Sequence, residues 1–226
     1  MEWMIEGKNI VKKFPIAGGE EFVALKGIDI QVPKGKLTIL RGSSGSGKTT
    51  LMNILGALDN PTEGELFFDG ENITNWDEEQ YTRLRRSRIG FVFQSVALIP
   101  MMSAYENVEY SLRLANYEGD FKARTEECLK MVGLGARMEH MPEEMSGGEQ
   151  QRVAIARAIA HKPGVIFADE PTAELDSGTG LQVVKSIKKL VEEEHITVIM
   201  TTHDIGLMEV GDMVYQLEDG EMIRGE

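Results

Sequence analysis

The stretch Leu37-Thr-Ile-Leu-Arg-Gly-Ser-Ser-Gly-Ser-Gly-Lys-Thr-Thr50 decides the fold of this chain. Its opening, Leu37–Leu40, reads as a buried strand, and Gly42 to Thr49 matches G-x-x-x-x-G-K-[ST]. Thr49–Leu58 then reads as a helix. Strand, glycine-rich loop and helix form the setting in which successive backbone N–H groups wrap phosphates, aided by the helix N-terminal dipole. Gly42, Gly45 and Gly47 let the backbone approach, while Ser43, Ser44, Ser46 and Thr50 complete the loop. Lys48 is placed to reach the β- and γ-phosphates, and Thr49 to offer a hydroxyl to Mg²⁺. The stretch implies an α/β protein that binds a nucleoside triphosphate.

Further along, Val165–Ala168 is a short apolar run of the kind that forms a buried parallel strand, and Asp169-Glu170 ends it. Two carboxylates there emerge at the C-terminal edge of a sheet, where ligands bind in such folds. Asp169 suits Mg²⁺ binding through hard oxygen. Glu170 suits polarising an attacking water, a role worth roughly 10²–10⁴ in rate. A third segment, Ser146-Gly-Gly-Glu-Gln150, carries Ser-x-x-Glu, a capping box in which Ser146 caps a helix and Glu149 reaches back. Gly147 and Gly148 cost helix stability and favour close backbone approach to an anion. Both readings can hold at once.

With these segments in this order, the chain resembles an ATP-binding cassette (ABC) ATPase over almost its whole length. The resemblance implies a P-loop, RecA-like α/β core with an antiparallel β subdomain and an inserted α-helical subdomain. It also implies that two chains sandwich two ATP molecules head to tail, with Ser146, Gly147, Gly148 and Glu149 meeting the nucleotide held by the other subunit. The family's usual Leu-Ser-Gly-Gly-Gln is altered here at Met145 and Glu149. Met for Leu conserves volume, whereas Glu149 brings a negative charge near a phosphate site. Gln94 matches the family glutamine that senses Mg²⁺ and the attacking water. His203 in Thr-Thr-His-Asp204 matches the switch histidine, and Asp176 in Ala-Glu-Leu-Asp-Ser177 the aspartate that spans the dimer interface; Glu174 before it is commonly a small residue in relatives. Phe14 falls where relatives stack an aromatic on adenine, an interaction of about 1–3 kcal/mol; a strand-end Phe is the competing reading. The absence of an N/T-K-x-D guanine motif weighs against a GTPase.

Outside these motifs, Ile5–Phe14, Phe22–Val32, Gly64–Asp69 and Ile89–Phe93 read as strands, and a basic helix ends at Arg88. The segment from about Ser103 to His161 is mostly helical, with Tyr105, Val108, Leu112 and Ala115 at helical spacing. The expected division is a single domain, with residues 1–94 and 162–226 forming the α/β core and β subdomain and 95–161 the helical subdomain. Gly180–Glu194 reads as an amphipathic helix, Thr197–Thr201 as another buried strand, and Val214–Leu217 with Gly220–Ile223 as a closing hairpin.

The 226 residues are 42% hydrophobic and 27% charged, as in an ordinary globular protein. A net charge of −13 argues against nucleic-acid or anionic-lipid binding. The longest uncharged run, Ile89 to Tyr105, falls short of the ~20 apolar residues of a membrane span, so any membrane-crossing part belongs to another chain. The single cysteine, Cys128, fits a reducing cytoplasm and reads as a buried helix residue rather than a reactive thiol. Leu55-Gly-Ala-Leu-Asp-Asn-Pro-Thr62, Ile89-Gly-Phe-Val-Phe-Gln94 and the segments around Leu98-Ile-Pro100 and Glu106-Asn-Val108 are similar to the lipoprotein-release and macrolide-export type of ATP-binding subunit. That resemblance implies a cytoplasmic ATPase held on the inner face of the cell membrane by an integral membrane permease, and paired with a second copy of itself or a homologous subunit. The run Val96–Tyr105, with its soft Met101-Met102 pair, is a candidate for docking the permease. A soluble non-transport ABC ATPase and an importer subunit share the same catalytic set and remain the alternatives.

Overall fold

The computed structural model describes residues 2–223. β1 (Trp3–Pro15) and β2 (Glu21–Pro33) form a long antiparallel hairpin, and β3 (Leu37–Arg41) runs into α1 (Lys48–Leu55). There follow β4 (Glu63–Phe68), β5 (Glu71–Asn72), α2 (Glu78–Arg88) and β6 (Ile89–Val92). Three helices come next: α3 (Ala104–Leu114), α4 (Phe121–Met131) and α5 (Gly147–Ile159). β7 (Val165–Ala168), α6 (Ser177–Glu194), β8 (Thr197–Thr202), β9 (Met213–Glu218) and β10 (Glu221–Ile223) follow, with short 3-10 turns at Pro142–Glu144 and Ile205–Val210.

The strands sort into an antiparallel sheet of order β2-β1-β4-β5 and a larger sheet of order β10-β9-β3-β8-β7-β6. In the larger sheet β3 pairs parallel with β8 and β9, and β7 parallel with β6 and β8. Side chains alternate between faces along each strand. Leu37, Ile39, Ile166, Ala168, Val198 and Met200 join the core shared with α3–α6, while Leu40, Val165, Phe167 and Ile199 join the core shared with α1 and the antiparallel sheet. Both faces are therefore covered, which is why every residue of β7 and β8 is buried. Each such side chain other than Ala168 contributes about 1.5–3 kcal/mol on burial.

Local chemistry fixes where the helices begin. Asp77 and Gln80 close a capping box on α2, and Ser103 and Glu106 close one on α3. Some boundaries differ from expectation. α1 stops at Leu55 rather than Leu58, because the chain turns at Gly56 and Ala57 adopts φ 56°. α6 begins at Ser177 rather than Gly180, since Asp176 accepts from the N–H groups of Gly178 and Thr179 and holds the glycine-containing first turn. β6 ends at Val92, leaving Phe93 outside the sheet. Cys128 is fully buried in α4, and burial pushes its thiol up to about 11, so the reading as an inert helix residue holds. Among the described residues no helix is long and apolar enough to cross a membrane.

Candidate active site

The glycine-rich loop leaves the C-terminal end of β3, the strand flanked by β8 on one side and β9 on the other. Gly47 sits at the turn into α1 with φ 104°, where a Cβ would press on Leu25 at 2.9 Å. Lys48 begins α1 and is 6% exposed; its Nζ donates to the carbonyl oxygens of Gly42 at 2.9 Å and Ser43 at 3.0 Å. The ammonium is thus held by the loop itself, facing the cleft from beneath.

Asp169 and Glu170 arrive from β7. The Asp169 N–H donates to the Val92 carbonyl at 2.9 Å, tying the strand end to β6. Its carboxylate accepts from the hydroxyls of Thr49 at 3.2 Å and Thr201 at 2.6 Å. Glu170 has φ 44°, a left-handed conformation that costs an L-residue about 1–2 kcal/mol. Its N–H donates to Thr201 Oγ1 at 2.8 Å, while its carboxylate lies 3.8 Å from Lys48 Nζ and 3.3 Å from His203 Nδ1. Thr201, buried at the end of β8, therefore fixes both acidic residues at once.

A cleft of about 570 Å³ joins Phe14, Ser44, Gly45, Gly47, Lys48, Thr49, Thr50, Gln94, Asp169 and Glu170, with Phe22 and Ala24 added. A nucleotide fits this lining. The Gly45 position faces open space, a lysine and a helix N-terminus converge on one end, and an exposed aromatic stands in the same cleft. Ser46 lies under the loop, and its buried hydroxyl makes no hydrogen bond among the described residues. For a divalent cation, the Thr49 hydroxyl, the Asp169 carboxylate and the nearby Gln94 amide supply hard oxygen. Among the described residues no three His, Cys, Asp or Glu side chains converge on a metal cage. Few protein ligands, shared with phosphates and water, are what Mg²⁺ takes.

The remaining sequence candidates lie elsewhere. Ser146, Gly147, Gly148 and Glu149 do not line this cleft. Ser146 caps α5: its N–H and its hydroxyl both donate to Glu149 Oε2 at 2.9 Å, and the Glu149 N–H donates back at 3.3 Å. The bond from the Ser146 N–H, with Arg137 nearby, holds the Glu149 carboxyl below its ordinary value. Gly148 is needed within the chain, because a Cβ there would overlap the Thr179 methyl of α6. Asp176, the cap of α6, shares a second cleft of about 150 Å³ with His203, Glu170 and Leu175. Hydrogen bonds from the Thr179 hydroxyl and N–H hold the Asp176 carboxyl low.

Three residues beyond the sequence reading matter here. Thr201 organises the carboxylates, and its place beside Thr-His-Asp204 at a strand end was the available signal. Phe22 is the cross-strand partner of Phe14. Gln151 in α5 donates to the Phe93 carbonyl at 3.3 Å, joining the segment before Gln94 to the helix that Ser146 caps.

Comparison with known proteins adds to this geometry. The profile of the ABC transporter family matches residues 25–173. An ABC transporter ATP-binding protein of Methanocaldococcus jannaschii, MJ0796, is 45% identical over 230 residues, covering 99% of this chain and 97% of that protein. The macrolide export ATP-binding/permease protein MacB of Syntrophobacter fumaroxidans is 42% identical over 220 residues, but this chain spans only 31% of it. Among solved structures, the dimeric post-hydrolysis state of the ATP-binding cassette MJ0796 bound to ADP and Pi superposes with a TM-score of 0.89 at 44% identity, covering 99% of this chain and 98% of that one.

Proposed function

The chain belongs to the ABC transporter family of ATP-binding proteins, with that family's α/β P-loop fold, and from this membership we propose how its own residues hydrolyse ATP and pass the work on. It is an ATPase, and two copies (or one copy and a homologous subunit) close on two Mg·ATP. In each cleft Lys48 holds the β- and γ-phosphates, and the backbone from Gly42 to Thr49, with Ser43, Ser44, Ser46 and Thr50, cradles them. Thr49, Asp169 and Gln94 hold the Mg²⁺. When bound, the ion would act as a Lewis acid and draw electron density from the phosphates.

Glu170 takes the proton of the attacking water. The observation that carries this is its placement, with one carboxylate oxygen 3.8 Å from Lys48 Nζ and the other 3.3 Å from His203 Nδ1. The base thus sits between the phosphate-binding lysine and the switch histidine, on a backbone fixed by Thr201. Ser146, Gly147, Gly148 and Glu149 of the other copy complete the site, and Asp176 lies at the interface. This agrees with their position outside the cleft of their own chain.

The partner that receives the motion is an integral membrane permease, of the type fused to the ATPase in MacB. We place its docking in the apolar groove of about 520 Å³ lined by Phe91, Phe93, Ile99, Tyr110 and Leu114. Of the run Val96–Tyr105, only Ile99 lines that groove. Phe93 precedes Gln94 and is bonded to Gln151, so a push in the groove has a short path to both the cleft and α5. Residues 95–161 act as the moving helical subdomain on a core formed by 1–94 and 162–226, within one domain. The chain works on the cytoplasmic face of the membrane, held there by the permease.

Glu170→Gln tests the mechanism: size-exclusion chromatography at saturating Mg·ATP should show a trapped dimer with hydrolysis reduced about 10²–10⁴-fold. A variant that stays monomeric and turns ATP over normally overturns it.

A further inference from the structure

We infer that Phe22 is a second nucleobase-contacting residue, so that the base lies on two rings rather than on Phe14 alone; this rests on the nucleotide reading of the cleft. Three observations carry it. First, Phe14 and Phe22 are directly opposed partners across the β1–β2 hairpin. Directly opposed residues of an antiparallel pair point to the same face, with Cβ atoms about 4.5–5.5 Å apart. Second, both line the phosphate cleft, along with Ala24 two residues further along β2. Third, both rings are open to solvent, Phe14 at 38% and Phe22 at 56% exposure. A large apolar side chain that is more than half exposed gains nothing from the core of its own domain, and each core cluster of the chain leaves Phe22 out.

The flanking residues sharpen the geometry. Lys12 Nζ lies 5.2 Å from the centre of the Phe14 ring, and the same ammonium is held by Asp59 Oδ1 at 2.6 Å and by the Asn60 carbonyl at 2.8 Å. That anchored cation steadies the first ring. Phe22 has no comparable tether among the described contacts, and Glu21 beside it pairs with Pro15 at the end of the hairpin. A fused purine ring is wider than one phenyl face, and two side-by-side rings match that width. Nothing in the pair donates or accepts a hydrogen bond, so the platform favours large flat bases over small ones without selecting among purines. The chemical class it recognises is a purine nucleotide, in preference to a pyrimidine nucleotide or an inorganic polyphosphate.

The test is calorimetric competition on the full chain with ADP, CDP and pyrophosphate, none of which the protein can hydrolyse at the terminal phosphate. Phe22→Leu keeps an apolar strand residue and removes the aromatic face. It should weaken ADP about 5- to 10-fold and leave pyrophosphate within about 2-fold, and Phe22→Tyr should restore ADP binding. The ADP-over-CDP preference of the wild type should shrink in Phe22→Leu. Unchanged ADP affinity overturns the assignment, and so does equal weakening of ADP and pyrophosphate, which makes Phe22 a scaffold residue. A wild-type chain that binds none of the three overturns the nucleotide reading itself, a result distinct from either of those.

Discussion

The phosphate cleft and the N-terminus of α5 are both built from short polar motifs at helix starts, yet they are finished to different degrees. In the cleft, Lys48, Thr49, Asp169, Glu170, Thr201 and His203 are tied to one another across four elements, from β7, β8 and the loop to α1. At α5, among the described residues, the side chains of Ser146 and Glu149 bond to each other's groups, and Glu149 also pairs with Arg137. Ser146 and Gly147 are exposed and do not line the phosphate cleft of their own chain. The first region is organised by its own fold. The second is organised as a helix cap, and its exposed face is the one proposed above to meet a second copy.

Removing the cation of the first region should have the largest effect. Lys48→Ala should lower ATP hydrolysis by at least about 10²-fold and weaken ATP binding by the isolated chain, measured by phosphate release and calorimetry. Retained binding there would break the contrast, because the cleft would then not depend on its own lysine. The outward-facing region makes the opposite demand. Ser146→Arg should lower hydrolysis about 10²-fold while ATP binding by the monomer stays within about 3-fold. A loss of monomer binding in that variant would place Ser146 inside its own chain's site.

Thr201→Val asks how far the cleft depends on one buried hydroxyl. The change keeps the shape but unpairs the Glu170 N–H and one oxygen of Asp169, so stability should fall by about 1–3 kcal/mol. The turnover number should drop about 10-fold, with little change in KM. A rise in KM larger than the fall in turnover would assign Thr201 to ground-state binding instead. The smallest effect belongs to the α5 cap. Glu149→Gln keeps the capping pattern and removes the charge, so its cost should stay below about 1 kcal/mol. The folded-state value of Glu149 is depressed, so its contribution is present above the ordinary glutamate value and is lost as pH falls through the lower folded value. Melting temperatures of the wild type and Glu149→Gln should therefore differ slightly at neutral pH and converge in acid. A gap that widens in acid would contradict the direction of the shift.

The contrast also explains which parts were legible in the amino-acid order. Gly42–Thr49 and Asp169-Glu170 each carry their chemistry within a few consecutive residues, and each follows directly on a short, mostly apolar strand. Those were readable directly. Thr201, Phe22 and Gln151 act through partners 31, 8 and 58 residues away in sequence (Glu170, Phe14 and Phe93), and only sheet register and helix packing bring those pairs together. The start of α6 was obscured by Gly178 and Gly180, poor helix formers kept in the first turn by the Asp176 cap. The two-residue strand β5 is too short to show any alternation. Gly148 has a second constraint that residue order does not show, the close approach of Thr179 from α6 of the same chain. The role proposed for Ser146 in a partner's site is what the Ser146→Arg comparison tests.

The buried Cys128 has a practical corollary for spectroscopy. Its thiol is shielded within α4 and shifted to about 11, so almost no thiolate meets a maleimide at neutral pH. A cysteine introduced at the surface, such as Glu174→Cys ahead of Asp176, would then be the one fast-reacting thiol on the chain. Fluorophores attached there, one per copy, would report the distance between two copies as ATP is added, with no need to replace the native cysteine first.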